Sequence, residues 1–541
     1  MTRPTGGPAL DAKGDGRHSD LQSFGTVRTV DVEACVDLKA APPETAGTSL
    51  RTNRLGTLGI VFFVVAAAAP LVGMTGAVPF AIVAGNGAGA PGAYLAVGIT
   101  LLVFSVGYAA MSTRVTNTGA FFAYVGRGLG IAPGVGSAFV SLVAYLAIQL
   151  AIFGFFGAVM AGQMKDKFGI DWAWWVWVLI AWAAVLVLSL LSVVVGAKVL
   201  GVLMCLEIGS LLVLAVVILA KGGPDGVSVA ASFSPSAIFS GGFTGGAGIA
   251  LAFAFASFIG FEATAIYGEE SRDPKRTVPR ATYLAVGAIT ALFALTSFAI
   301  VTGLGHTQVV EETVKRSTVD GTPLADPAAV VFSLAEQYVG SWLSTLMSWL
   351  VLSSLFAGLL AFQNSSARYF FALGRAGVLP RALDRTNRPG APHIASALTS
   401  VLTLVVIAVF AIRQLDPVTN LFAWFSGLAV VAIGIVEALV CVAVIVYFRR
   451  TREDTRLWHT LIAPALACAG LLIGLYLLMS RFGLLAGTVA EGVDPSQQAW
   501  GLNTTGWVLV LLPFAALAVG AVVGAVRRQD ENDDAVKDLV S

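Results

Sequence analysis

Long apolar runs recur along the whole chain, separated by short polar connections. A helix that crosses a bilayer needs about 20 apolar residues. Runs that meet or approach that length lie at 56–85, 91–112, 131–162, 173–194, 197–220, 244–268, 279–304, 341–371, 393–412, 417–447, 461–480 and 505–526. They predict an all-α membrane protein with twelve transmembrane helices. The narrowest separation is between the fourth and fifth runs, where Gly196-Ala197-Lys198 is the interruption. The longest connection, about 305–340, contains Asp326-Pro327 ahead of an apolar stretch. Asp as N-cap and Pro at the first helical position predict a short helix starting there.

The ends read differently. Residues 1–50 hold Asp, Glu, Pro, Thr and Gly with no apolar run of the kind a signal peptide carries. They are expected to form a disordered cytoplasmic tail, and residues 529–541 an acidic cytoplasmic tail. The domain of twelve helices is expected over 54–528.

Composition excludes an ordinary soluble enzyme. The chain is 57% hydrophobic and 12% charged, against about 25% charged in soluble domains. Its mean hydropathy is +0.82. Net charge is +1 without a basic patch, so no nucleic-acid partner is expected. The four cysteines (Cys35, Cys205, Cys441, Cys468) and four histidines (His18, His306, His393, His459) are scattered. No metal site, cofactor or disulfide framework is expected from them. A phosphate-binding glycine loop ending in Lys-Ser/Thr is also missing from the sequence.

The charges are segregated across the predicted bilayer. With the N-terminus in the cytoplasm, twenty Lys and Arg fall in inside loops. Seven fall outside: Lys165, Lys167, Lys221, Lys315, Arg316, Arg413 and Arg481. Positive charge favours the inside, so the sequence reads as a multi-pass protein of the cell (plasma) membrane with both termini cytoplasmic.

Two spans are interrupted. The first reads Ala69-Pro70-Leu71-Val72-Gly73-Met74-Thr75-Gly76-Ala77-Val78-Pro79, with two prolines and two glycines at mid-membrane depth. The sixth reads Ser257-Phe258-Ile259-Gly260-Phe261-Glu262, with a carboxylate inside an apolar run. Each Pro removes a backbone donor and each Gly weakens the helix. Non-helical backbone at this depth is tolerated only where protein buries it or a cavity hydrates it. Freed amides attract carboxylates and freed carbonyls attract ammonium groups or cations. Paired breaks in corresponding helices are a sequence pointer to a binding site between two inverted repeats. Here they lie about 185 residues apart, which suits two five-helix repeats and two further helices.

These residues also carry a family resemblance. The helix-six sequence 257–262, with Glu269-Glu270-Ser271-Arg272-Asp273-Pro274-Lys275-Arg276-Thr277-Val278-Pro279-Arg280-Ala281, closely resembles the signature of the amino acid–polyamine–organocation transporters. Ala367-Arg368-Tyr369 through Gly374-Arg375-Ala376-Gly377-Val378-Leu379-Pro380 resembles the loop after helix eight. Thr118-Gly119-Ala120-Phe121-Phe122-Ala123-Tyr124-Val125 resembles the loop between helices two and three. The matches run in order over about 54–450.

The resemblance implies a LeuT-type fold, alternating access and a substrate held between the unwound parts of helices one and six. Family members commonly bind the α-carboxylate at a Gly-Ser-Gly stretch; the matching positions are Met74, Thr75 and Gly76, with Gly73 adding freedom one residue earlier. On helix six, carbonyls of Ala256, Ser257 and Ile259 are expected to receive the amino group, beside Gly260. Ala256 stands where some members place a gating Trp, so the resemblance implies either a roomier pocket or gating by Phe255 or Phe258 instead.

Interior polar groups suggest coupling. Glu207 lies deep in the fifth span, where an ionised carboxylate costs about 2.5–3.5 kcal/mol on insertion scales. The resemblance sets it where proton-coupled members carry a Lys. It could exchange a proton, hold a cation or pair with a cationic substrate. Glu262 follows the helix-six break and takes a structural or proton-sensing part. Ser353 and Ser354 lie mid-way along helix eight, where sodium-coupled relatives ligate sodium through hydroxyls. Gln149, Gln363 and Asn364 are expected to join helices by hydrogen bonds, and Glu437 to be a packing or gating partner.

The sequence therefore reads as a secondary transporter, not an enzyme. It is expected to move an amino acid with a co-transported proton, or sodium as the alternative. A polyamine or other organic amine permease, an amino acid exchanger and a non-transporting sensor are the competing readings.

The orientation is testable by cysteine labelling of intact cells. Thr318→Cys should react with an impermeant reagent and Thr386→Cys should not; the reverse pattern overturns the orientation.

Overall fold

Leu, Val, Ala and Phe fill whole turns of these helices rather than one face, so the helices have no polar side to offer water. The computed structural model describes residues 56–115, 121–191, 194–242, 245–266, 271–319, 322–323, 328–388, 390–495 and 498–529. The long helices are α1 (Thr57–Ala68), α2 (Ala90–Ser112), α3 (Ile131–Phe168), α4 (Trp174–Leu190), α5 (Val194–Lys221) and α6 (Gly246–Phe258). They continue with α7 (Pro274–Leu304), α8 (Ser341–Arg375), α9 (His393–Ile412), α10 (Ala423–Thr451), α11 (Ala463–Ser480) and α12 (Thr504–Gln529).

Ten of the described helical runs are long and apolar enough to cross a membrane. Thr57–Ser112 counts as one of them although it contains non-helical backbone at Gly85. Trp174–Leu190 is apolar but only 17 residues long. Helix α7 starts at Pro274, five residues ahead of the apolar run, because Asp273-Pro274 opens it and Pro279 is accommodated inside its first turns. Large aliphatic side chains stand exposed along the outside of the bundle, including Val401, Val405, Val409 and Ile412 on α9 and Val508, Leu511, Val519 and Val522 on α12.

The connection after α7 forms helices Val309–Arg316 and Ala329–Tyr338, with a two-residue antiparallel ribbon pairing Thr318–Val319 with Thr322–Pro323. Several sequence expectations lie outside the described residues. They are the tail over 1–50, most of 529–541, Thr118–Ala120 and Glu269–Glu270 of the family motifs, the proposed cap Asp326-Pro327, and the side chain of Lys198. Thr386 is buried, so the exposed neighbour Arg388 is the better inner labelling position.

Close packing relies on small residues where helices cross, as membrane helices require. Helix α12 lies along α3 so tightly that a methyl on Gly520 would sit 2.8 Å from the Cα of Gly136. Gln149 of α3 donates to the Gln363 side chain of α8 (2.8 Å). Gln363 donates in turn to the Ser396 carbonyl (2.9 Å) and Ser400 hydroxyl (3.0 Å) of α9. This chain ties three helices together in the apolar interior.

Gly520→Leu should drive α12 away from α3 and destabilise the fold by about 1–3 kcal/mol, the usual penalty of overpacking. A lowered midpoint of thermal unfolding in detergent is the expected readout. An unchanged midpoint rejects the close contact.

Candidate functional site

The break in the first span comes at Ala69. Its backbone is left-handed (φ 43°, ψ 67°) and α1 stops there. Pro70 follows and disfavours a helical conformation in the residue before it. The chain resumes at Pro70–Val72, widens to π-helical turns over Gly73–Ala77, and runs on to Asn86. A helix start leaves its first N–H groups without intrahelical partners. At this second half, therefore, donors gather around Leu71 and Val72.

The break in the sixth span comes at Ile259 and Gly260. Ile259 leaves the helix (φ −55°, ψ 131°), and Gly260 has φ 115°, a region open to Gly and strained for other residues. A short helix, Ala263–Ile266, follows. Gly260 also lies against helix one: an added methyl would stand 2.9 Å from Ala67 Cβ and 3.1 Å from Ala68 N. The two breaks therefore touch. The Gly260 N–H donates to Glu262 Oε2 (2.8 Å), and the Tyr108 hydroxyl donates to the Glu262 carbonyl (2.7 Å).

A cavity of about 270 Å³ lies between the breaks. Ala67, Ala68, Ala69, Gly73, Gly76 and Ala77 line it from the first span. Phe253, Ala256, Ser257 and Ile259 line it from the sixth. Helices α3 and α8 add Ile152, Leu355 and Phe362; the turn Pro417–Phe422 ahead of α10 adds Phe422, and α10 adds Ser426. Among all its lining side chains three are hydroxylic, Ser257, Thr419 and Ser426, and none is charged. The Ser257 hydroxyl is held by the Phe253 carbonyl (3.0 Å) and faces the Tyr94 hydroxyl (3.1 Å). Phe80 and Phe253 stack face to face (5.7 Å) on one side of the cavity.

The expected substrate residues divide into two groups. Gly73, Gly76, Ala256, Ser257 and Ile259 line this cavity. Met74 and Thr75 do not; both are fully buried, and the Thr75 hydroxyl donates to the Leu71 carbonyl (2.7 Å). Phe255 and Phe258 face the other way, into a smaller pocket behind helix six that Glu437 also lines. Phe258 packs edge-on to Phe293 (5.2 Å). Gly260 shapes the break without lining the cavity. The stacked pair Phe80 and Phe253, together with Thr419, Ser426, Leu484 and Leu485, escaped the sequence reading.

The expected coupling residues also separate. Glu207, Ser353 and Ser354 meet in one small pocket with Ala66, three residues before the helix-one break. The Ser353 hydroxyl donates to the Leu350 carbonyl (2.8 Å) and lies 3.4 Å from Glu207 Oε1. Glu207 is buried, at 3% exposure, yet this pocket gives it oxygen neighbours. Glu262 is elsewhere: fully buried, bound to Gly260, and near the hydroxyl of Tyr145.

Together these features define a helical membrane protein whose two broken spans enclose a ligand-sized, uncharged cavity. A family model described as amino acid permease matches residues 55–512. The chain belongs to that family, within the amino acid–polyamine–organocation superfamily, and is a multi-pass membrane protein. It is similar to a branched-chain amino acid permease of Lactococcus lactis, 27% identical over 39% of this chain and 40% of the relative. It is similar to a histidine permease of Saccharomyces cerevisiae, 26% identical over 49% of this chain and 43% of the relative. It also resembles an uncharacterized transporter of Mycobacterium tuberculosis, 27% identical over 36% and 35%. The chain thus spans about two fifths of the length of these curated relatives.

The geometry separates two glycines. Gly76→Leu meets a side-chain ring, Phe155, at 3.3 Å and no backbone, and fills cavity space, so folded protein should persist while ligand-induced thermal stabilisation disappears. Gly260→Leu meets backbone at a left-handed position, so it should reduce the yield of folded protein itself. Ligand stabilisation of Gly76→Leu equal to wild type rejects the cavity as the binding site.

Proposed function

We propose that this protein carries an amino acid across the plasma membrane by alternating access, and that a proton drives it. The observation that carries this reading is the cavity bounded by both helix breaks. Donors at the start of the Pro70 half-helix suit an α-carboxylate, because unpaired N–H groups and the helix dipole both favour negative charge. Acceptors at the end of α6, near Ala256, suit an α-ammonium group. A zwitterion answers both without a charged side chain.

The amine and polyamine reading is less well supported. A multiply charged substrate needs acidic partners, and neither Glu207 nor Glu262 lines the cavity. For coupling, Glu207 is the residue of choice. It lies beside the helix-one break with the Ser353 and Ser354 hydroxyls, so cycling of its proton can follow the movement of that break. The same oxygens form the sodium alternative, since hard cations prefer oxygen ligands. Twelve passes with both termini cytoplasmic, in a 5+5 inverted repeat plus two helices, complete the proposal. In it Thr57–Ser112 forms two spans around Gly85 and the 17-residue α4 crosses where the bilayer thins.

Uptake into proteoliposomes under imposed gradients tests the coupling. Wild type should accumulate substrate under an inward proton gradient without sodium. Glu207→Gln, a mimic of the protonated state, should keep exchange and lose gradient-driven accumulation. Undiminished pH-driven accumulation by Glu207→Gln removes the residue from the coupling step. A sodium requirement in the wild type transfers that step to Ser353, Ser354 and the helix-one carbonyls.

A further inference from the structure

The connection between α11 and α12 is unusual for a loop. It opens with Phe482-Gly483-Leu484-Leu485-Ala486, an entirely apolar helical turn, where loop surfaces are normally polar. Phe482 and Ala486 are fully buried, and Phe482 and Leu485 pack on Gly427 of α10 (2.9 and 3.3 Å from a Cβ placed there). Leu484, Leu485 and Gly487 line the large cavity.

The rest of the connection holds this turn in place. The buried Arg481 guanidinium donates to the Pro495 carbonyl (2.6 Å), and the Trp500 N–H to the Ser480 carbonyl (2.9 Å). Ala490 N–H bonds Gly501 O (3.0 Å), and Asn503 N–H bonds Thr488 O (2.9 Å). Trp500 stacks on Trp507 of α12 (6.2 Å, 13°). A free connection would not need so many restraints; these fix two leucine side chains at the wall of the cavity, which Thr419 and Phe422 also line.

We propose that Leu484 and Leu485 are specificity-determining residues that contact the substrate side chain and select amino acids with large apolar side chains, branched aliphatic or aromatic. This rests on the amino acid reading of the cavity and adds the substrate class. The helix breaks supply groups for the backbone ends of any amino acid, so they do not discriminate among side chains. Discrimination falls to the rest of the wall, which is aliphatic and aromatic with two hydroxyls, Thr419 and Ser426. A charged side chain would lose its hydration there with no charged partner. Leu484 and Leu485 are the part of that wall supplied from outside the ten helices of the two proposed repeats, so they can vary without disturbing the breaks.

The test measures binding and proteoliposome uptake of leucine, phenylalanine, alanine and lysine by the full chain. Wild type should prefer leucine and phenylalanine to alanine and reject lysine. The double variant Leu484→Ala with Leu485→Ala should lose at least about tenfold of its leucine-to-alanine preference, the lower end of what one methylene group is worth in an apolar pocket. Leu484→Trp, which shrinks the cavity instead of hollowing its wall, should lose phenylalanine and retain alanine. Both variants are checked for a monodisperse elution profile, and either one that folds decides the question. An unchanged leucine-to-alanine ratio in the folded double variant, or unchanged phenylalanine affinity in Leu484→Trp, overturns the inference alone. A wild type that binds none of the four amino acids overturns it together with the transport reading.

Discussion

The hydrogen bond from the Gly260 amide to the Glu262 carboxylate is the contact on which the rest of the site depends. It lies where α6 stops, in an interior that offers no water to a freed amide. A buried amide without a partner would cost on the order of 1–3 kcal/mol, enough to favour closing the helix. Glu262 removes that penalty from two residues away. The same short stretch carries the left-handed turn at Gly260, which lets the chain pass over Ala67 and Ala68. One local bond therefore holds helix six open and sets it against the end of α1. The cavity is the space these two stopped helices leave between them.

A consequence is that the carboxylates stand behind the cavity wall. Glu262 supports the break, Glu207 shares its pocket with the serines of α8, and Glu437 lies in the pocket behind helix six. A carboxylate in the cavity itself would attract ammonium groups and favour cations over zwitterions. In the transport cycle proposed above, charge kept one layer back lets an acid act on the helices while selection of the ligand rests on backbone dipoles and shape. Glu207 suits this arrangement because Ala66, its neighbour in the pocket, lies three residues before the bend, in the last turn of α1.

The all-helical membrane character and the two breaks were legible in the sequence because each rests on local chemistry. Twenty apolar residues in a row, Pro after Ala69 and Gly before a buried Glu all act through neighbouring residues. Which side chains face the cavity was less legible. The family match pointed to the consecutive triplet Met74-Thr75-Gly76, whereas a helical segment presents every third or fourth residue to one side. Gly73, Gly76, Ala77, Phe80 and Ala84 share that side and line the cavity; Met74 and Thr75 point elsewhere. Helix six follows the same rule. Phe253, Ala256 and Ser257 fall together, and Phe255 and Phe258 fall on the opposite face. The spacing held this information, but only the packing of the bundle says which face looks inward. Leu484 and Leu485 had no local signal at all, since their role depends on a connection folding back over 60 residues from Thr419.

The two breaks are chemically unequal, and the inequality has a direction. Helix one is bent by a left-handed Ala, which costs on the order of 1–3 kcal/mol and persists only where the surroundings enforce it. Pro70 supplies part of that enforcement, and the touch of Gly260 against Ala67 supplies more. Helix six is bent at a Gly that meets little penalty at positive φ. The strain is thus stored on helix one and the support on helix six. A ligand that bridges the start of the Pro70 half-helix and the end of α6 favours the arrangement in which both ends face one cavity. Its binding energy then acts on the strained side, where Glu207 and the serines of α8 meet Ala66. Ligand and coupling ion need not touch in this scheme. Each biases the same bend of helix one, and that shared element is a physical basis for linking their movements.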